Sequence, residues 1–78
     1  MGKIQGEMDA AIRRTGMTTF ELSDLIDTWI FSARDRKLLK WKFCHHMTYE
    51  AAAERAGMST IQVKRIVKTG FRQLKAHF

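Results

Sequence analysis

Four serine or threonine residues, each standing just before an apolar-periodic segment, punctuate this chain. Thr18 is followed three residues later by Glu21, Ser59 by Gln62, and Ser32 by Asp35. At this spacing the hydroxyl takes an orphan N–H of the first helical turn while the second side chain reaches back to the cap, a weaker arrangement where Asp replaces Glu. Thr48 has no such partner but is a good cap by itself. Gly16 and Gly57 stand where helices would stop. Between these marks apolar residues recur at helical spacing. Ile4, Met8, Ala11 and Ile12 come first, then a stripe of Leu22, Leu25, Ile26 and Trp29. A third segment carries Leu38, Leu39, Trp41 and Phe43 and is expected to end between His45 and Met47. Tyr49 to Ala56 is short, and a long final helix runs toward residue 76. No segment alternates as a strand does, and there is no proline. The expected fold class is all-α: a compact four- to five-helix domain with a C-terminal helix-turn-helix and a recognition helix over about 60–76.

A length of 78 residues implies one folded unit. The expected division is a helical extension over residues 1–17 and a helix-turn-helix domain over 18–78. A core of this size is marginal, and Cys44, the single cysteine, offers no disulfide framework to support it. That usage fits a reducing, cytoplasmic setting. No apolar run has the length of a signal peptide or a bilayer span, so no membrane role is expected.

The net charge is +6, and its placement matters more than its size. From Arg55 onward there are six basic residues (Arg55, Lys64, Arg65, Lys68, Arg72, Lys75) and no acidic ones. Before Arg34, the carboxylates Glu7, Asp9, Glu21, Asp24 and Asp27 outnumber Lys3, Arg13 and Arg14. One end is a positive field that suits a polyanion. A cationic helix kept for solubility is the bland alternative.

The stretch AAAERAGMSTIQVKRI, residues 51–66, has the packing logic of a helix-turn-helix. Tyr49, Ala52, Ala53 and Ala56 share one face of the short helix, and the methyl of Ala53 lets another helix cross closely. Gly57 can take positive φ without steric cost, and Met58 can plug the corner. Val63, Ile66, Val67, Phe71 and Leu74 form the inward stripe of the last helix, with Gly70 on the same face. Ile61, Arg65, Lys68 and Arg72 point away from it, flanked by Gln62, Lys64 and Thr69. A recognition helix presents its first turns to base edges in the major groove. Arg65 suits guanine, Gln62 adenine, and Ile61 a thymine methyl. Lys68 and Arg72 lie further along and suit phosphates. Thr48, Tyr49 and the free N–H groups beside them make a second anion-binding end.

At this point a family resemblance is visible. SARDRKLLKWKFCHHMTYEAAAERAGMSTIQVKRIVKTGFRQLK, residues 32–75, resembles the fourth-region domain of bacterial sigma factors, which binds the −35 promoter element. Arg34, Asp35, Arg36, Leu38, Leu39 and Phe43 look like its R-E-R-x-x-L-x-x-R-F segment. Thr48-Tyr49-Glu50 with Ala53-Glu54 looks like S/T-Y/L-E-E-I-A-E, and Gly57-Met58-Ser59 with Val63-Lys64 like G-I-S-x-x-x-V-K/R. Phe71, Leu74 and Lys75 match A-L-x-K-L-R. The resemblance covers roughly residues 22–76, and its pieces are specific only together. It implies that Thr60, Ile61, Lys64 and Arg65 face −35 bases, and that the helices around Leu22 to Phe43 touch RNA polymerase. The chain departs from the family where Ile30-Phe31-Ser32-Ala33 replaces Leu-Pro, and where Gly70 replaces alanine. No stretch matches a −10-binding domain, so a complete sigma factor is not expected, and residues 1–17 have no counterpart. LuxR-type output domains share a similar core but add a separate dimerisation helix; here the periodicity from Val63 to Leu74 is unbroken.

The resulting expectation is a transcription regulator that binds double-stranded DNA, of the compact kind a phage or mobile element encodes. Base reading falls to Thr60, Ile61, Gln62, Lys64 and Arg65, and phosphate contact to Thr48, Tyr49, Lys68 and Arg72. RNA polymerase is a candidate partner, and dimerisation would extend a footprint of few base pairs. Two alternatives stand beside it. One is a protein-interaction module that binds polymerase or a sigma factor through the acidic, aromatic N-terminal half. The other is a DNA-packaging component like a phage terminase small subunit. Cys44, His45 and His46 tempt a metal reading, but neighbours on a helix diverge by about 100° and do not converge on one ion. No metal, cofactor or enzyme activity is expected, since no motif carries one.

Overall fold

The computed structural model describes residues 3–77, so the outer ends of the two expected segments lie outside it. Five helices follow in order: α1 (Lys3–Thr15), α2 (Thr19–Trp29), α3 (Ala33–Phe43), α4 (Tyr49–Ala56) and α5 (Thr60–Lys75). No strand occurs among the described residues.

The caps form as local chemistry dictates. Thr18 Oγ1 accepts from Glu21 N at 3.1 Å, and Glu21 Oε1 accepts from Thr18 N at 2.8 Å. Ser59 and Gln62 repeat the exchange at 3.2 and 3.1 Å. Ser32 accepts from Asp35 N, but the Asp35 carboxylate turns to Arg34 instead, so that box is half made. Thr48 Oγ1 accepts from Ala51 N at 3.0 Å. Gly57 takes the left-handed conformation at φ 69°, and the next amide, Met58 N, donates to Ala53 O at 2.9 Å. That bond closes the last turn of α4 and starts the corner into α5.

Met8, Leu22, Ile26, Leu38, Leu39, Phe43, Val63, Val67 and Leu74 are fully buried and form one cluster with Ile30, Ala52, Ala53 and Phe71. Burying each of the larger side chains contributes about 1.5–3 kcal/mol before chain entropy is counted. The central layer is α3 against α5. It closes at Gly70, where an added Cβ would fall 2.5 Å from Leu39 Cδ1 and 2.9 Å from Cδ2. Glycine there serves close approach, not a bend, since α5 runs unbroken through it. From the other side α1 sends Met8 into the same cluster and ties its Glu7 to Lys75 at 3.6 Å.

Two expectations need correction. Trp29 does not complete the inward stripe of α2: it is 40% exposed, with its ring stacked on His77 at 3.6 Å between centroids. The helix ends at Trp29, and Ile30 enters extended backbone (φ −107°, ψ 114°) that turns its side chain inward instead. The link is then held by Arg36, whose guanidinium donates to Ile30 O and Phe31 O. The third helix stops at Phe43, short of His45 to Met47. His45 N folds back to Lys40 O and Met47 N to Trp41 O, and His46 between them adopts φ 55°.

Candidate nucleic-acid interface

The outer face of α5 is set by what its inner face buries. Val63, Val67, Gly70, Phe71 and Leu74 are buried, which leaves Ile61, Gln62, Lys64, Arg65, Lys68, Thr69 and Arg72 exposed. Ile61 is 69% exposed, an apolar side chain at the start of a basic helix. Thr60, also assigned to base reading, is half-buried at the first helical position. Gln62 is exposed, but its Oε1 accepts the Ser59 cap N–H, leaving its Nε2 to donate outward. Among the described residues Lys64, Arg65, Lys68 and Arg72 join no ion pair, while Lys75 is held by Glu7.

The start of α4 meets this face. Thr48, Tyr49, Lys64, Arg65 and Lys68 line one open concavity, so about one turn of α5 and the α4 N-terminus present their polar atoms together. The Tyr49 ring lies under Lys42 Nζ at 4.4 Å and Lys64 Nζ at 5.7 Å. Burial pushes the Tyr49 hydroxyl above its ordinary titration range, so it stays a neutral hydrogen-bond donor. Thr48 uses an oxygen lone pair in the cap and keeps its hydroxyl proton free to donate. Arg72 lies further along α5 and does not line this concavity.

A family model for sigma-70, region 4, matches residues 31–76. The chain belongs to the sigma-70 region 4 family. Neither curated proteins nor solved structures yielded a match. The region 4 family is one of DNA-binding, non-enzymatic domains. Its match spans α3, α4 and α5 and begins two residues after α2, so α1 and α2 precede the matched part.

Within this region 4 helix-turn-helix, Lys42 is the residue that sequence reasoning missed. It lines the same concavity and donates from Nζ to Met47 O at 3.3 Å. Nothing in its local spacing marks it out; the crossing of α3 over the start of α4 brings it there. The same holds for Ile4, Gln5 and Glu7 of α1, which line it as well. Gln5 bonds Asp9 through Nε2, while its Oε1 is buried with no partner.

Cys44 is half-buried, and His45 and His46 beside it are exposed. No group of three metal-ligating side chains converges among the described residues. Burial pushes the Cys44 thiol up, Lys40 opposes that, and Asp27 adds to it. No described helix is long and apolar enough to cross a membrane.

Proposed function

We propose that this protein is a sequence-specific DNA-binding transcription regulator that sets α5 into the major groove. The observation that carries the reading is the exposed outer face of α5, whose cations Lys64, Arg65, Lys68 and Arg72 join no ion pair among the described residues, together with the polar start of α4. Arg65 and Lys64 read base edges, Ile61 meets a thymine methyl, and Gln62 donates through its free Nε2. Thr60 sits at the groove edge. Thr48, Tyr49, Lys68 and Arg72 take phosphates and set the register. RNA polymerase is the proposed second partner, in keeping with the region 4 family.

Selection of bound sequences from random duplex DNA, with and without RNA polymerase, tests this directly. Arg65→Ala is expected to relax preference at one base pair by about 1–3 kcal/mol, and Lys68→Ala to weaken all sequences alike. Equal losses on specific and random duplex for Arg65→Ala would remove the base-reading role.

A second reading has its own support: Phe20 is 75% and Phe31 84% exposed, with Trp29 40% exposed nearby in sequence. On this reading the acidic, aromatic N-terminal half binds polymerase or a sigma factor and the protein holds DNA weakly. A mobility-shift assay at moderate salt separates the two. Retention of polymerase binding by Lys64→Ala/Arg65→Ala, with no shift of any duplex by the wild type, favours the second.

A further inference from the structure

The cations of α5 from Lys64 to Arg72 join no ion pair among the described residues, but Lys75, the last of them, does. Its Nζ lies 3.6 Å from Glu7 Oε1 of α1 and 5.9 Å from the centroid of the Phe71 ring. Both charged side chains are exposed, and a pair of this kind adds little to stability. Glu7 also stands beyond the first turn of α1, where a carboxylate gains little from the helix dipole.

What fixes Glu7 in place is its neighbour in the chain. Met8 is fully buried, Ala11 is buried one turn on, and Ile4 and Ile12 pack against the same core. Moving α1 would uncover that apolar surface, so the carboxylate is carried at a set position. The position is within the concavity that Lys64, Arg65 and Lys68 also line. A carboxylate held there does two things to a DNA backbone. It repels a phosphate that comes near it, and it occupies Lys75, the cation further along α5. Backbone contacts set where a protein sits on a duplex without reading its sequence. Bringing like charges together in the wrong placement is one way to favour the right one. We propose that Glu7 is a specificity-determining residue. It bars the backbone from the C-terminal end of α5 and confines the duplex to the register in which Ile61, Lys64 and Arg65 meet base edges. This rests on the DNA-binding reading above and deepens it, because it gives α1, which precedes the region 4 match, a part in recognition.

The test uses the full chain, the duplex recovered by the selection described above, and a random-sequence duplex of the same length. It compares the wild type with Glu7→Gln, Glu7→Asp and Glu7→Gln/Lys75→Gln, with circular dichroism confirming that each variant is folded. On the random duplex, Lys75 freed by Glu7→Gln gains a phosphate, so the log–log salt slope is expected to steepen by about 0.9. Affinity for that duplex is expected to rise roughly two- to fivefold, with a smaller rise on the selected one, so the ratio between them falls. Glu7→Asp keeps the charge and is expected to keep the wild-type slope and ratio. The double variant is expected to return the slope to its wild-type value. An unchanged slope and ratio in Glu7→Gln overturn this inference alone, since DNA binding itself persists. Equal tightening on both duplexes does the same, because the carboxylate then repels DNA generally and sets no register. A wild type that binds no duplex, or binds every duplex alike, overturns both this inference and the reading beneath it.

Discussion

Single residues carry the sharpest constraints, and Gly70 is the most exacting. Alanine there gains about 1 kcal/mol of helix propensity. Its Cβ would fall 2.5 Å from Leu39 Cδ1, on a side chain with no exposed surface into which it can retreat. Overpacking of this kind costs about 1–3 kcal/mol. Gly70→Ala is thus expected to lower the urea midpoint despite better propensity, and Leu39→Val to restore part of the loss in a double-mutant cycle. Additive effects of the two substitutions would contradict the clash. Cys44 makes a prediction about pH. Burial raises its thiol above the ordinary range of a cysteine, so the folded state holds this proton more tightly than the unfolded chain. The stability this provides is complete below the titration of the unfolded thiol and is lost as pH rises through that of the folded one. Alkylation of Cys44 by iodoacetamide near pH 8 should be slower in the native protein than in denaturant, and equal rates would contradict the shift.

At the scale of the element, each helix start is settled by its own neighbours, and this is why the starts were legible. A Ser or Thr hydroxyl ahead of a helix takes an N–H of the first turn from its own neighbours, and Thr18, Ser32, Thr48 and Ser59 all do so, although Asp35 turns to Arg34 and leaves the Ser32 box half made. Ser59→Ala is expected to cost about 1 kcal/mol in thermal unfolding. Because Gln62 Oε1 also belongs to that cap, the substitution should loosen the first turn of α5 and reduce DNA affinity beyond what global stability explains. Ends and partners were less legible. Trp29 fits the period of α2, yet the helix stops on it, and the decision rests with Arg36 binding Ile30 O and Phe31 O across the link. The face of α5 could be read from its period, since Val63, Val67 and Leu74 bury as the spacing predicts. Lys42 could not, because it reaches the concavity only through a crossing of helices far apart in local pattern.

The whole molecule is a set of five helices around one core in which the family-matched part is not self-contained. Met8 of α1 is fully buried beside residues of that part. Met8→Ala is expected to destabilise the protein by about 2–5 kcal/mol. Read in guanidinium by two probes, Trp fluorescence and helical circular dichroism, the loss should appear as one cooperative transition. Separate transitions would show that α1 is an independent appendage.

The packing of α1 on α5 also bears on how the chain is made. Of the five described helices, the earliest in the chain docks against the last, with three others between them in sequence. Until α5 emerges, Ile4, Met8 and Ile12 lack the part of their cluster that Val63, Val67, Phe71 and Leu74 supply. Co-translational closure of this domain is therefore a single late event. A stall before residue 60 would leave the apolar face of α1 only partly covered, in the state that chaperones recognise.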